Sequence, residues 1–119
     1  METKAALKTL AALAHDSRLA IFRHLVELGP EGAHAGAIGE ALGLPGATLS
    51  FHLKELSHAD LVDSRQEGRF VRYTANLATI QAMVGYLTET CCGGRPEMCA
   101  PVAAALPMPP TRRSKTRSR

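Results

Sequence analysis

Three cysteines near the C-terminus are the side chains of this 119-residue sequence best suited to hold a metal or metalloid. Cys91 and Cys92 are adjacent, and Cys99 follows a Gly-Gly-Arg-Pro segment that lets the chain turn back on them. Thiolates are soft donors and therefore prefer soft ions. Trivalent arsenic and antimony bind three sulfurs in a pyramid, whereas a structural Zn²⁺ site needs a fourth ligand, and none is obvious nearby. The spacing predicts an As(III) or Sb(III) site formed by Cys91, Cys92 and Cys99.

Other interpretations of the thiols stay open. They could bind Zn²⁺, Cd²⁺ or another thiophilic metal, form a redox switch, or have no function. An enzyme with a vicinal thiol pair would need an activated thiolate, which a helix N-terminus or a neighbouring base favours. Here the pair follows the C-terminal end of a predicted helix, where the helix dipole disfavours a thiolate. We therefore expect no catalytic residue and no required cofactor.

A second set of functional candidates lies on a helix predicted for residues 47–58. At about 100° per residue, Leu49, Leu53 and Leu56 fall on one side, which must face the core. The opposite side and its flanks carry small, polar and basic residues, which can contact base edges or phosphates. The candidate DNA-contacting residues of this helix are Ala47, Thr48, Ser50, Phe51 and Lys54. The alternative is an ordinary surface helix, and His52, on the flank, is predicted to be half-buried and hydrogen-bonded.

The elements predicted before and after this helix follow the order of a known structural motif. A short helix over 35–42 and a Gly-Leu-Pro-Gly turn precede it, and a two-stranded hairpin of residues 61–66 and 69–74 follows it. This order is typical of a winged helix-turn-helix.

The hairpin carries three arginines that could contact DNA. Arg65, Arg69 and Arg72 are candidates for phosphate or minor-groove contacts. The alternative is a solvated strand pair, because Asp63 and Glu67 lie among them.

Three further helices complete the predicted fold. Leucines recur at helical spacing over 3–14, which predicts a first helix. A second helix, capped by Asp16 or Ser17, is predicted to extend to Glu27, and a last helix, capped by Asn76, is predicted to span 76–90. The fold class is therefore mainly α with a small β-hairpin. The apolar surface of the first and last helices is large for one small core, so a dimer is expected.

Charge is unevenly distributed along the chain. The formal net charge is +3, but Arg112, Arg113, Lys115, Arg117 and Arg119 supply five of the fourteen basic residues, and the first 110 residues are net −2. The tail could add unspecific attraction to phosphate. No stretch approaches the roughly 20 apolar residues of a membrane span, and no signal peptide is evident. The expected location is the cytoplasm, with no membrane partner.

Three segments carry a family resemblance: "ALAHDSRLAIFRHL", "TLSFHLKELSHADLV" and "RQEGRFVRYTA". Over about residues 5–90 the sequence resembles the ArsR/SmtB-type repressors, which respond to metals and metalloids. The resemblance implies a homodimer formed through helices 3–14 and 76–90. It also implies binding to palindromic double-stranded operator DNA, with lower affinity once the inducer is bound.

Sensor sites differ among members of this family. A Cys-x-Cys motif is absent from residues 34–40, and no His or Asp lies in 76–90 for a zinc site on the last helix. The C-terminal cysteines instead resemble those of arsenite-responsive repressors, with a vicinal pair and a third Cys. The expected organisation is a DNA-binding and dimerisation domain over 1–92 and a flexible tail over 93–119.

Overall fold

The computed structural model describes residues 1–89. The predicted cysteine site at Cys91, Cys92 and Cys99 and the basic tail lie outside these residues. The described elements, in chain order, are α1 (Thr3–Leu13), α2 (Asp16–Leu28), a 3-10 turn (Gly29–Glu31), β1 (Ala33–His34), α3 (Ala35–Leu42), α4 (Gly46–His58), β2 (Val62–Glu67), β3 (Phe70–Ala75) and α5 (Leu77–Leu87). This architecture confirms the predicted winged helix-turn-helix.

The sheet has three strands, so the prediction of a two-stranded hairpin was incomplete. Its order is β1-β3-β2 and both pairings are antiparallel. The strand β1 has only two residues in a Gly/Ala-rich segment, and such a segment has no alternating pattern of its own. The hairpin turn is Gly68-Arg69, one residue later than predicted, and Gly68 takes the positive φ of +62° that this turn requires.

The helix ends differ from the prediction at two places. Neither Asp16 nor Ser17 caps α2, because the ring Nδ1 of His15 accepts the hydrogen bond from the Ser17 amide at 3.1 Å. For α5 the predicted cap is confirmed, since Asn76 Oδ1 accepts from the amide of Ala78 at 3.1 Å. That helix ends at Leu87, three residues before the predicted end.

The hydrophobic core lies between the helices and the base of the sheet. Its fully buried aliphatic side chains are Ile21, Leu25, Ile38, Leu53, Leu56 and Leu61. The helix α1 contributes Ala6, Thr9 and Ala12 to the interior, while Leu7 and Leu10 are 62% and 41% exposed. Leu7 and Leu10 thus form an outer apolar face, whereas Leu13 at the end of the helix packs against the core.

The packing of α3 on α4 sets the position of α4, the helix that carries the candidate DNA-contacting residues. A Cβ on Gly39 would lie 3.1 Å from the carbonyl oxygen of Leu44 and 3.2 Å from Cδ2 of Leu49, so a larger residue would require these neighbours to shift by a few tenths of an ångström. The chain leaves α3 at Gly43, which has a φ of +67°. The amide of Leu44 then bonds back to the carbonyl of Gly39 at 2.9 Å and closes the turn that aims α4.

Candidate nucleic-acid interface

The helix α4 divides into a core side and an exposed side as the sequence predicts. Its leucines, Leu49, Leu53 and Leu56, are buried. All five predicted contact residues are exposed: Ala47, Thr48, Ser50, Phe51 and Lys54. The one acidic residue of the helix, Glu55, keeps 39% of its side chain exposed, and its Oε1 lies 3.8 Å from Nη1 of Arg18 on α2. The positive charge of Arg18 therefore partly offsets the one negative charge of α4.

His52 is more deeply buried than the sequence predicts. It is 5% exposed, and its Nδ1 has no hydrogen-bond partner, in contrast to the predicted hydrogen-bonded histidine. Its ring packs against those of His15, at 4.5 Å between centroids, and Phe51, at 5.6 Å. Burial lowers the pKa of His52, and the nearby His15 and Arg18 lower it further, while Glu55 acts in the opposite direction. The neutral ring is therefore the favoured form at this position.

A charged cluster at the end of β2 ties the wing to the body of the domain. The carboxylate of Glu67 accepts hydrogen bonds from His34 Nε2 at 2.8 Å, Arg65 Nη2 at 2.8 Å and Arg72 Nε at 3.0 Å. These donors lower the pKa of Glu67 to about 2, with His34 the largest contributor. Arg72 Nη1 also donates to the carbonyl of Glu31 at 2.8 Å. The cluster thus joins both wing strands to β1 and to the segment before it.

The three wing arginines therefore differ in their surroundings. Arg72 donates hydrogen bonds to the carboxylate of Glu67 and the carbonyl of Glu31, and its side chain is only 28% exposed. Arg65 bonds to Glu67 through one terminal nitrogen but remains 73% exposed, so much of its guanidinium is accessible. Arg69 is exposed in the turn at the tip of the wing. DNA contact stays a prediction for Arg65 and Arg69, whereas Arg72 has a structural role.

Two residues that support the wing were missed by sequence analysis. Gly32 has a φ of +57°, and a Cβ there would lie 1.9 Å from the carbonyl oxygen of Tyr73 on β3. His34 stacks on Phe70, with ring centroids 5.2 Å apart and planes 12° from parallel. The sequence carried no signal for either contact, because each joins residues more than 30 positions apart.

Within residues 1–89, no three His, Cys, Asp or Glu side chains come together in a way that could hold a metal ion. The described part of the chain thus offers no second candidate metal site beside the predicted three-cysteine site, whose residues lie outside it.

Comparisons with known proteins agree with this geometry. A family described as a helix-turn-helix domain matches residues 13–65. The uncharacterized HTH-type transcriptional regulator YceK of Bacillus subtilis (strain 168) is 34% identical over 79 residues, which cover 66% of this chain and 78% of YceK. An ArsR-like transcriptional regulator from Rhodococcus sp. RHA1 superposes with a TM-score of 0.66 at 26% identity, covering 88% of this chain and 96% of that one. The chain belongs to the ArsR-type family of helix-turn-helix transcriptional regulators.

The fold of this regulator is shared more widely. The homodimeric winged helix-turn-helix domain Mb0332 from Mycobacterium bovis matches with a TM-score of 0.60 at 24% identity, covering 73% of this chain and 81% of that one. As a member of its family, the protein is a DNA-binding regulator and not an enzyme. In the part that the structure describes, no helix is long and apolar enough to cross a membrane.

Proposed function

We propose that this ArsR-type regulator is a homodimeric repressor that places α4 of each protomer in the major groove of a palindromic operator. The observation that carries the proposal is the exposed side of α4, which presents Thr48, Ser50 and Lys54, while the one acidic side chain of the helix is paired with Arg18. Hydroxyl groups can bond phosphates or base edges, and an ammonium neutralises phosphate. Arg65 and Arg69 on the wing would add contacts to the DNA backbone. Two half-sites would lie about 34–36 Å apart, one turn of the double helix.

The exposed apolar side chains of α1 and α5 support a second copy of this chain as the partner. Leu7 and Leu10 of α1 and Leu87 of α5 are exposed, while the residues that α1 buries are Ala6, Thr9 and Ala12. The two helices contact each other, and the hydroxyls of Thr3 and Tyr86 are hydrogen-bonded. A twofold interface through these helices would bury the leucines of both protomers. The homodimeric M. bovis domain has the same fold.

The inducer we propose is trivalent arsenic or antimony bound by Cys91, Cys92 and Cys99. Three thiols form an all-sulfur donor set, which matches the preference of these soft elements. A methylated arsenical has only two positions left for sulfur, so the third thiol favours the inorganic form. The cysteines follow α5 closely, since that helix ends at Leu87.

The position of the thiols suggests how binding could be coupled to DNA affinity. Ligand binding would constrain the chain directly after α5, close to Tyr86 and its contact with α1. A shift of α5 in the dimer interface would change the separation of the two α4 helices. Allosteric coupling of this kind amounts to about 1–3 kcal/mol, which lowers affinity about 5- to 150-fold. In this scheme the repressor leaves its operator when the inducer binds, and it acts in the cytoplasm.

Fluorescence anisotropy on the DNA upstream of the protein's own gene tests the proposal. The bound protein is titrated with arsenite, antimonite, methylarsenite, Zn²⁺ and Cd²⁺. We expect release by arsenite and antimonite. The variants Cys91→Ser, Cys92→Ser and Cys99→Ser should bind DNA as tightly as the wild type and resist release. Release of the Cys91→Ser and Cys92→Ser variants by arsenite would refute the assigned site.

The same titration separates the other interpretations of the thiols. Release by Zn²⁺ or Cd²⁺ but not by arsenite would make the protein a sensor of divalent metal ions. Release by a thiol oxidant, reversed by a reductant without any metal, would make it a redox switch.

A further inference from the structure

The aromatic ring of Phe51 occupies an unusual place on α4. It is 56% exposed, and it is the one large hydrophobic residue of that helix whose side chain lies at the surface. Its neighbours one turn away on the same side are Ala47 and Lys54, and Thr48 flanks it. A single apolar ring is therefore surrounded by small, polar and basic groups.

The ring is supported from behind by two histidines. The His52 ring lies 5.6 Å from that of Phe51 at an angle of 60°, and it packs in turn against His15 at 4.5 Å. Because His52 is buried, it cannot move away without opening the core. One side of Phe51 thus rests on a fixed surface, and the other faces outward.

The surroundings favour DNA over a protein as the partner of this ring. A protein partner would need a wider apolar patch around Phe51, but Thr48, Ser50 and Lys54 lie there instead. The one carboxylate of the helix, that of the partly exposed Glu55, lies 3.8 Å from the guanidinium of Arg18, whose positive charge offsets it. An anionic double helix can approach this side, and the ring would then face the base edges of the major groove.

Only one base presents an apolar group in the major groove, namely thymine with its C5-methyl. We propose that Phe51 packs against a thymine methyl and makes this regulator require a thymine at one position of each operator half-site. This proposal rests on the DNA-binding function proposed above, and it assigns Phe51 as a specificity-determining residue. Thr48, Ser50 and Lys54 would contact neighbouring groups of the same half-site.

Replacing thymine by deoxyuridine removes this methyl and nothing else. The purified full-length protein first selects its operator from a pool of random-sequence duplexes. Each thymine of the selected operator is then replaced singly by deoxyuridine, and affinity is measured by fluorescence anisotropy. Losing one buried methyl should weaken wild-type binding about fourfold at one position of each half-site.

The variant Phe51→Ala should bind the selected operator more weakly and no longer distinguish thymine from uracil at that position. Because Phe51 is exposed, this change leaves the core intact, which circular dichroism can check. The matched control is Phe70→Ala, which removes a similarly exposed ring from the wing. It should keep the ratio of affinities for thymine and uracil, even if loss of its stacking on His34 lowers both affinities. The proposal is overturned if the wild type tolerates uracil at every position, or if Phe51→Ala discriminates as well as the wild type. A protein that enriches no sequence at all overturns the DNA-binding function itself.

Discussion

Glu67 on β2 accepts a 2.8 Å hydrogen bond from Nε2 of His34 on β1, across 33 positions of sequence. The same carboxylate accepts from Arg65 and Arg72, so one side chain joins the hairpin to the strand that anchors it. The orientation of the wing therefore depends on this carboxylate, and so does any contact that the wing makes with DNA.

The variant Glu67→Gln should be less stable than the wild type at neutral pH, because the uncharged amide is a weaker acceptor for three donors. The pKa of Glu67 falls from 4.5 to about 2 in the folded chain. The stabilisation by its charge is therefore complete above about pH 4.5 and is lost as the pH falls toward 2. Melting temperatures of both proteins, measured from pH 7 to pH 2, should converge in that interval. A constant difference across the whole range would contradict this role.

Gly32 should tolerate no side chain, unlike Gly36, which lies four residues later in α3. The variant Gly32→Ala places a Cβ against the carbonyl of Tyr73 and forces a non-glycine residue to a φ of +57°. The positive φ alone costs about 1–3 kcal/mol, so the free energy of unfolding should fall by at least that amount. A Cβ on Gly36 meets no atom within 4 Å, and Gly36→Ala should gain up to about 1 kcal/mol from helix propensity. Urea denaturation of the two variants measures the contrast, and equal effects would contradict it.

Burial of neutral His52 should make the domain less stable in mild acid. Its pKa lies below the ordinary value of 6.5 in the folded chain, mainly through burial. The unfolded chain therefore binds a proton first, so the contribution of His52 is complete above about pH 6.5 and is lost as the pH falls through its folded pKa.

Urea denaturation at pH 7.5 and 5.5 checks this dependence. The loss of stability between the two pH values should shrink in His52→Gln, while His58→Gln, a change at an exposed histidine of the same helix, should keep the wild-type loss. If the two variants lose stability equally, His52 is not the group responsible.

The variant Leu7→Asp should turn the regulator into a monomer. Burying a leucine contributes about 1.5–3 kcal/mol, and a twofold interface loses two of them, so the dimer dissociation constant should rise at least about 100-fold. Leu7 is exposed in the single chain, so the monomer should still fold. Analytical ultracentrifugation measures the change, with Phe70→Ser on the wing as a control expected to remain dimeric. A dimeric Leu7→Asp protein would exclude the outer side of α1 from the interface.

Deleting residues 111–119 should weaken the dependence of DNA binding on salt. The deletion removes five basic side chains and no acidic one, and each lost phosphate contact lowers the slope of log K against log salt by about 0.9. Anisotropy titrations at several salt concentrations measure the slope, and the inducer response should persist. A truncated protein that no longer responds to arsenite would show that the tail is part of the sensor.

The sequence by itself determined the elements whose signals are local. Leucine spacing predicted which side of α4 faces the core, and it placed Phe51 and Lys54 outward. Asn76 marked the start of α5, because a cap bonds amides only two or three residues away. Thiol chemistry and spacing also led to the inducer hypothesis without structural information.

Tertiary structure alone decided the features that join distant segments. The strand β1 forms only because β3 supplies its partner. Glu67 holds the wing in place only because the fold brings His34 within hydrogen-bond distance of it. The small residues Ala6, Thr9 and Ala12 of α1 face inward and Leu7 faces outward, which the leucine spacing of that helix did not predict. Periodicity identifies an apolar face of a helix, but only packing decides whether that face belongs to the core or to a partner.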